Sequence, residues 1–266
     1  MVDPARIIAE AKAIRSLGGT VQLVEVDGEL LVVKRHDGAE AAGLRWLKPV
    51  PEIRAVDDEY LITTYIPDAP ATRQAAEDLG RNLAEMHQAG ADAFGQPPPG
   101  GPEDAWIGLA PMRNTPAEDW PEWFAEHRIL PYLKTAVDRR AIDDPKPIEQ
   151  VCDAIRDLAG PPEPPARLHG DLWSGNVLFS HDGAYLIDPA AHGGHRESDL
   201  AMLQWFPCPH LDRVLAAYDE ATPLAAGWEQ RVPLHQLFPQ LVHAALFGGG
   251  YGRTAQESAR RALRSA

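Results

Sequence analysis

The sequence predicts an α+β fold of two unequal parts: a small β-rich N-terminal lobe over residues 1–66, and a larger, mainly helical lobe over residues 67–266. Three observations predict it. Runs rich in β-branched residues concentrate in the first 66 positions, Pro67-Asp68-Ala69-Pro70 closes the last of them, and from residue 73 onward apolar residues recur mostly at helical spacing.

Each element has its own signal. Asp3 reads as an N-cap with Pro4 at the first helical position, and Ile7, Ile8, Ala11 and Ile14 share one face, so the opening sixteen residues read as a helix. After Gly18-Gly19-Thr20, VQLVEV and ELLVVKRH flank Asp27-Gly28, the strongest short-range sign of a hairpin. Residues 39–48 return to helical character, and EYLITTYI (59–66) is strand-like. Residues 73–89 place Ala76, Leu79, Leu83 and Met86 or His87 on one side of a helix. Pro/Gly loops at 95–102 and 161–165 flank a tryptophan-rich helical stretch, and Trp106, Trp120, Trp123 and Phe124 are expected in the core of the helical lobe, with walling a ligand pocket as their alternative. Near the C-terminus, Leu234, Leu237, Phe238, Leu241, Val242, Ala245 and Leu246 keep core spacing, with Pro239 expected to kink or divide their helix.

Composition excludes more than it identifies. With 266 residues, 44% apolar and 24% charged, the chain has an ordinary globular mixture. Its net charge of −14 argues against a nucleic-acid or anionic-membrane partner. No run of 18 apolar residues occurs, so no membrane helix is expected, and the N-terminus lacks the pattern of a signal peptide. Cys152 and Cys208 make neither a disulfide framework nor a metal spacing, and a reduced cytoplasmic protein is the expectation.

The chemistry concentrates between Leu168 and Met202. His169-Gly170-Asp171 is followed five residues later by Asn176, then by a strand, a turn at Ser180-His181-Asp182-Gly183 and a return strand that delivers Asp188. Phosphoryl transfer from a nucleotide needs a carboxylate to accept the hydroxyl proton, oxygen ligands for Mg²⁺ and a rigid support for both. Asp171 suits the first role and Asn176 with Asp188 the second. The same chemistry requires a lysine on a strand of the small lobe with a glutamate to hold it, and Lys34 and Glu40 fit. Gly18 and Gly19 lack G-x-G-x-x-G spacing and offer at most a short backbone cradle for phosphate.

These residues resemble the fructosamine (ketosamine) kinase family, a branch of the protein-kinase-like phosphotransferases related to the aminoglycoside kinases. HGDLWSGN (169–176) and LIDPAAHGGHRESDLAM (186–202) carry the resemblance, with EAAGLRWL (40–47), LGRNLAEMHQAGADAFG (79–95), IGLAPMRNTPAEDWPEWFAEHRILPYL (107–133) and PLHQLFPQLVHAALFGGGY (233–251) extending it. The resemblance implies a two-lobed protein-kinase-like fold with ATP between the lobes. It implies Asp171 as proton acceptor, Asn176 and Asp188 as metal ligands, and Lys34 with Glu40 as the ATP-orienting pair. It also implies a hinge at Thr64, Tyr65 and Ile66, whose backbone groups would meet the adenine.

The acceptor it implies is a ketosamine, either a small molecule or a glycated protein lysine, phosphorylated on the sugar's third hydroxyl and thereby deglycated. Trp173 either stacks on that sugar or packs internally, and His195, Arg196 and Glu197 are candidates for acceptor contact. His169 and Asp199 are expected to be structural, Asp199 by capping the next helix and bracing the catalytic loop. His192 and His195 are three apart, but with no further ligand nearby a metal site is not expected. An aminoglycoside- or choline-like acceptor, or a catalytically inactive nucleotide-binding scaffold, are the alternatives.

Overall fold

A computed structural model describes residues 4–36 and 38–264. Helix α1 (Pro4–Glu10) is followed by strands β1 (Lys12–Gly18), β2 (Val21–Val26) and β3 (Glu29–Arg35), helix α2 (Ala39–Trp46), and strands β4 (Ile53–Val56) and β5 (Tyr60–Thr64). The strands form one antiparallel sheet in the order β1-β2-β3-β5-β4.

The opening helix is shorter than its periodicity suggests, and the Asp3 cap lies outside the described residues. Ala11 and Ile14 leave the helix face: residues 12–18 pair instead with β2, and Ile14 is exposed. Gly18 and Gly19 allow this, since their φ values of 123° and 51° turn the chain straight back into β2. β4, too short and mixed to stand out in sequence, lies at the opposite edge of the sheet.

Alternation along β3 decides where Lys34 goes. Leu31 and Val33 face a cluster with Ile7, Val24, Ala55 and Ile62. Lys34 takes the other face, directly opposite Leu61, whose side chain packs on Ala41 and Leu44 of α2. The strand thus aims its lysine at the helix that carries Glu40.

The rest is mainly helical. α3 (Arg73–Gln88), begun by a Thr72 side chain that accepts the Ala75 N–H, buries Ala76, Leu79, Leu83, Met86 and His87. A hairpin of β6 (Asp104–Ile107) and β7 (Ala110–Arg113) leads to α4 (Trp120–Phe124), a π-helical turn, and α5 (Leu130–Asp138). α6 (Lys146–Asp153) and α7 (Ile155–Leu158) precede β8 (Ala166–Leu168), β9 (Val177–Ser180), β10 (Gly183–Leu186) and β11 (His192–Gly194). α8 (Glu197–Leu203), α9 (Leu211–Ala221), α10 (Trp228–His235), α11 (Leu237–Phe247) and α12 (Tyr251–Ala262) complete the chain. The long C-terminal apolar run is divided in two, as Pro239 suggests, with the break at Gln236 and the proline in the first turn of α11.

Two apolar clusters support this part. One joins α3 to α9 and the β9–β10 hairpin through Leu79, Leu83, Leu186, Leu200 and Val214. The other contains Trp120, Trp123, Phe124, Ile129, Leu237 and Leu241. Trp106 takes the second of its two expected places: it is 47% exposed at the β6–β7 hairpin and lines a cleft, whereas Trp120, Trp123 and Phe124 are core. Among the described residues no helix is long and apolar enough to cross a membrane, and both cysteines are free thiols.

Candidate active site

The segment between β8 and β9 holds Asp171 and Asn176, and the β9–β10 hairpin returns the chain so that Asp188 follows two residues after β10. The two parts are tied together: the Ile187 N–H donates to the Asn176 carbonyl at 3.1 Å. Asn176 Nδ2 donates to both the backbone carbonyl (2.9 Å) and the Oδ2 (3.1 Å) of Asp171. Its amide oxygen is thereby left to face other partners.

Burial pushes the Asp171 carboxyl up to about 6, the Asn176 hydrogen bond opposing the shift. That is a carboxylate poised to take a proton near neutral pH. Asp188 is half exposed and carries a φ of 52°, a left-handed conformation uncommon for a non-glycine residue and held by its surroundings.

From the sheet, Lys34 Nζ pairs with both Glu40 and Asp188. Burial would lower the lysine's pKa, but the two carboxylates outweigh it and hold the ammonium above its ordinary value. Lys34, Glu40, Asp171, Asn176 and Asp188 therefore line one open cleft of about 740 Å³. Thr20 and Val21, just after the glycine turn, line it too. Gly18 and Gly19 do not, although open space surrounds both. On the other side stand Trp173 and the tip of the β6–β7 hairpin, where Trp106 and Leu109 are 47% and 78% exposed.

The catalytic loop is braced from behind. Asp199 accepts the N–H groups of His169 (2.7 Å) and Gly170 (2.9 Å), and its Oδ2 lies 3.2 Å from His87 Nε2. Burial would raise this carboxyl, yet the hydrogen bonds, led by that of His87, hold it below its ordinary value. His169 Nε2 donates to the Ile187 carbonyl while Nδ1 accepts the Asp171 N–H, so one neutral ring links both halves of the site. Burial is what keeps it neutral. Asp199 does not cap α8: Arg196 is the N-cap, and Asp199 sits in the first turn, turned inward. His87, whose only sequence signal was its place on the buried face of α3, is the unforeseen member of this brace, and its Nδ1 reaches the Tyr218 hydroxyl at 2.8 Å.

The sequence profile of the fructosamine kinase family matches residues 39–265. The chain belongs to the fructosamine kinase family. A protein of Thermus thermophilus named as a probable ketoamine kinase is 32% identical over 262 residues, covering 94% of each chain. A solved structure from Thermobifida fusca, provisionally named a fructosamine-3-kinase, superposes with a TM-score of 0.90 at 48% identity, covering 98% of each chain. A choline kinase of Streptococcus pneumoniae, with a TM-score of 0.63 at 17% identity over 98% and 97% of the two chains, shares the fold. The chain is thus a two-lobed kinase, with its sheet at the N-terminal end and its helices at the C-terminal end.

Several expected site residues of this chain sit elsewhere. His195 and Glu197 are buried and absent from the cleft, because the turn from β11 into α8 and the first residue of α8 face the helical core. Both carboxylate oxygens of Glu197 are held by Arg231, at 2.9 and 2.5 Å, and His235 Nε2 lies 3.3 Å away. Burial would raise the Glu197 carboxyl, but His235 and Arg231 hold it far below its usual range. Burial, reinforced by His235, pushes His195 down to about 3. His195, Glu197 and His235 cluster with metal-like spacing, but the guanidinium already satisfies the carboxylate. Arg196 is likewise committed, its guanidinium forking onto Glu163 at 2.6 and 2.7 Å. These three residues support the lobe and do not reach an acceptor in the cleft.

The hinge narrows. The Thr64 N–H donates to Glu52 O at 2.9 Å and the Tyr65 N–H to Leu30 O at 3.1 Å, so the sheet consumes both amides.

Proposed function

We propose that this kinase transfers the γ-phosphoryl group of ATP to a hydroxyl of a ketosamine sugar, the third hydroxyl by resemblance, releasing the amine after the adduct decomposes. The single observation that carries the reading is the convergence of Asp171, Asn176, Asp188 and the Lys34–Glu40 pair on one cleft in a chain of this family. In this reading the lobes divide between Ile66 and Pro67, and ATP lies beneath the sheet with its base near Ile66, whose neighbours Thr64 and Tyr65 have their amides engaged.

Asp171 accepts the proton of the sugar hydroxyl as its oxygen bonds to the γ-phosphorus, and the bond to the bridging oxygen of ADP breaks. Lys34, steadied by Glu40, supplies fixed positive charge to the phosphates. The Asn176 amide oxygen and the Asp188 carboxylate form a hard oxygen donor set of the kind that suits Mg²⁺. Mg²⁺ held there would neutralise charge developing on the transferred group. Trp173 and the exposed Trp106 offer apolar faces that suit the C–H surface of a sugar, and the −14 net charge suits a cationic amine.

The test is ATP consumption with Mg²⁺ over fructoselysine, ribuloselysine, kanamycin, choline and buffer alone, with Asp171→Asn beside each. Turnover of a ketosamine that disappears in the variant supports the reading and ranks the sugars. Turnover of kanamycin or choline alone keeps the mechanism and overturns the substrate. ATP binding without any turnover points to a nucleotide-binding scaffold.

A further inference from the structure

Aromatic side chains run outward from the catalytic loop in an unbroken series. Trp173, 37% exposed in the cleft, has its ring over Gly175, where any Cβ would collide with it. Its ring centroid lies 5.5 Å from Phe206, and Phe206 lies 4.6 Å from Trp205 and 5.8 Å from His243. His243 continues the series to Trp205 at 4.9 Å, Tyr251 at 5.1 Å and Phe247 at 5.5 Å. Three separate segments supply these rings: the catalytic loop, the turn after α8, and the α11–α12 junction with its Gly248–Gly250 run.

Core packing explains them only in part: Tyr251 lies against the main core cluster, while Trp205, Phe206 and His243 are half-buried. Trp120, Trp123 and Phe124 are buried in the same lobe, whereas none of the six rings of the series is buried, and Phe247 is 62% exposed. A contiguous run of aromatic rings that stay partly open to solvent, exposed at its Trp173 and Phe247 ends, marks a binding face in a way that scattered single residues do not. Its continuity with the cleft names the occupant. A sugar has the extent of about one ring face, so a ketosamine whose sugar lies at Trp173 leaves five rings beyond it. Those rings suit the methylene stem and cationic amine of lysine and the chain flanking it. His243 fits this use: its Nδ1 donates to the Pro239 carbonyl at 2.8 Å, leaving Nε2 as an acceptor.

We propose that Trp205, Phe206, His243, Phe247 and Tyr251 form a platform for the aglycone, seating the peptide around a glycated lysine while its sugar lies at Trp173. The proposal rests on the ketosamine reading and assigns specificity within it.

The experiment compares two acceptors, the fructose adduct of methylamine and a hexapeptide with fructosyl-lysine at its centre, in the wild type, Phe247→Ala and Trp205→Ala. Phe247 is exposed enough for its variant to fold. The expected result is a KM for the hexapeptide raised about 10-fold relative to that for the methylamine adduct, with kcat moving little. Equal changes on both acceptors, or none on the hexapeptide, would overturn the platform. The unglycated hexapeptide, titrated against tryptophan fluorescence, gives a readout free of activity. Quenching by it that Phe247→Ala weakens supports the platform even if the wild type phosphorylates neither ketosamine, a result that sinks only the proposed function. A concentration-dependent dimer lost in Phe247→Ala would assign the face to a second copy of the chain and overturn the proposal.

Discussion

The Lys34 ammonium touches the Asp188 carboxylate across 154 residues of sequence, joining the central sheet to the segment that follows the β9–β10 hairpin. With Glu40 as its second partner, Lys34 is the charge that connects the two lobes at the cleft. In the proposed function, nucleotide phosphates share or replace the Asp188 contact, while Glu40 keeps the lysine in place. Lys34→Met removes that anchor and leaves two carboxylates facing each other. The expected outcome is a fall in kcat/KM for ATP of about 100-fold or more. Steady-state kinetics with varied ATP measures it, and a variant with undiminished kcat/KM would remove Lys34 from the phosphate site.

Asp171 gives a prediction with two readouts. Its carboxyl titrates at about 6, above the ordinary 3.8, because burial disfavours the charge. In the proposed role of base it must be ionised, so kcat is expected to fall as pH drops through about 6, and Asp171→Asn to lower kcat by about 10²–10⁴ while ATP still binds. The stability effect has the opposite sign. Between 3.8 and 6 the folded state binds more protons than the unfolded one, so this group's contribution to stability declines as pH rises through that window. At pH 7.5 Asp171→Asn should therefore melt higher than the wild type, and the gain should vanish below pH 4. A lower melting temperature at pH 7.5 would show that the carboxylate is not held at a cost to the fold.

Much of this was legible because the signals are local. Asp27-Gly28 between β-branched runs gives the β2–β3 hairpin, whose central residues both adopt positive φ, and the 3.6-residue pattern gives α3 with its buried face. Asp171, Asn176 and Asp188 were legible because one hairpin fixes their spacing. Long-range pairing is where sequence reading failed. Residues 12–18 carry a helical pattern, yet backbone pairing with β2 draws them into the sheet. His195, Arg196 and Glu197 read as polar residues near a site, but their partners Arg231, His235 and Glu163 are distant in sequence, and nothing local reveals that they are spent. His87 was hidden for the same reason, since its partner Asp199 lies 112 residues away.

The Asp199 brace is expected to govern stability and activity together. Asp199→Ala strands the N–H groups of His169 and Gly170 and the ring of His87, all buried. The cost should be about 3–5 kcal/mol of unfolding free energy, read by urea titration. Because the folded carboxyl lies below its ordinary 3.8, the stability it contributes is complete above that value and is lost as pH falls beneath it. The wild type should thus lose more stability than Asp199→Ala on acidification below pH 4. Parallel acid titrations of the two proteins would exclude an ionised Asp199 as the brace.

Two glycines of nearly equal φ separate backbone strain from crowding. Gly28, at 84°, turns the β2–β3 hairpin with open space where a Cβ would stand, and Gly170, at 80°, would place its Cβ on the Ala190 carbonyl oxygen. Gly28→Ala meets only the left-handed penalty, about 1–2 kcal/mol, and touches no part of the cleft, so kcat should hold. Gly170→Ala adds a collision with backbone that cannot rotate away, roughly a further 1–3 kcal/mol. It also displaces Asp171, the next residue, from Asn176, so kcat should fall more than 10-fold by the cost of misplacing a catalytic group. Chemical denaturation and kcat measured on both variants decide it. Equal losses of stability would mean that the catalytic loop yields to the added methyl, and that Asp199 and Ala190 do not hold it rigid.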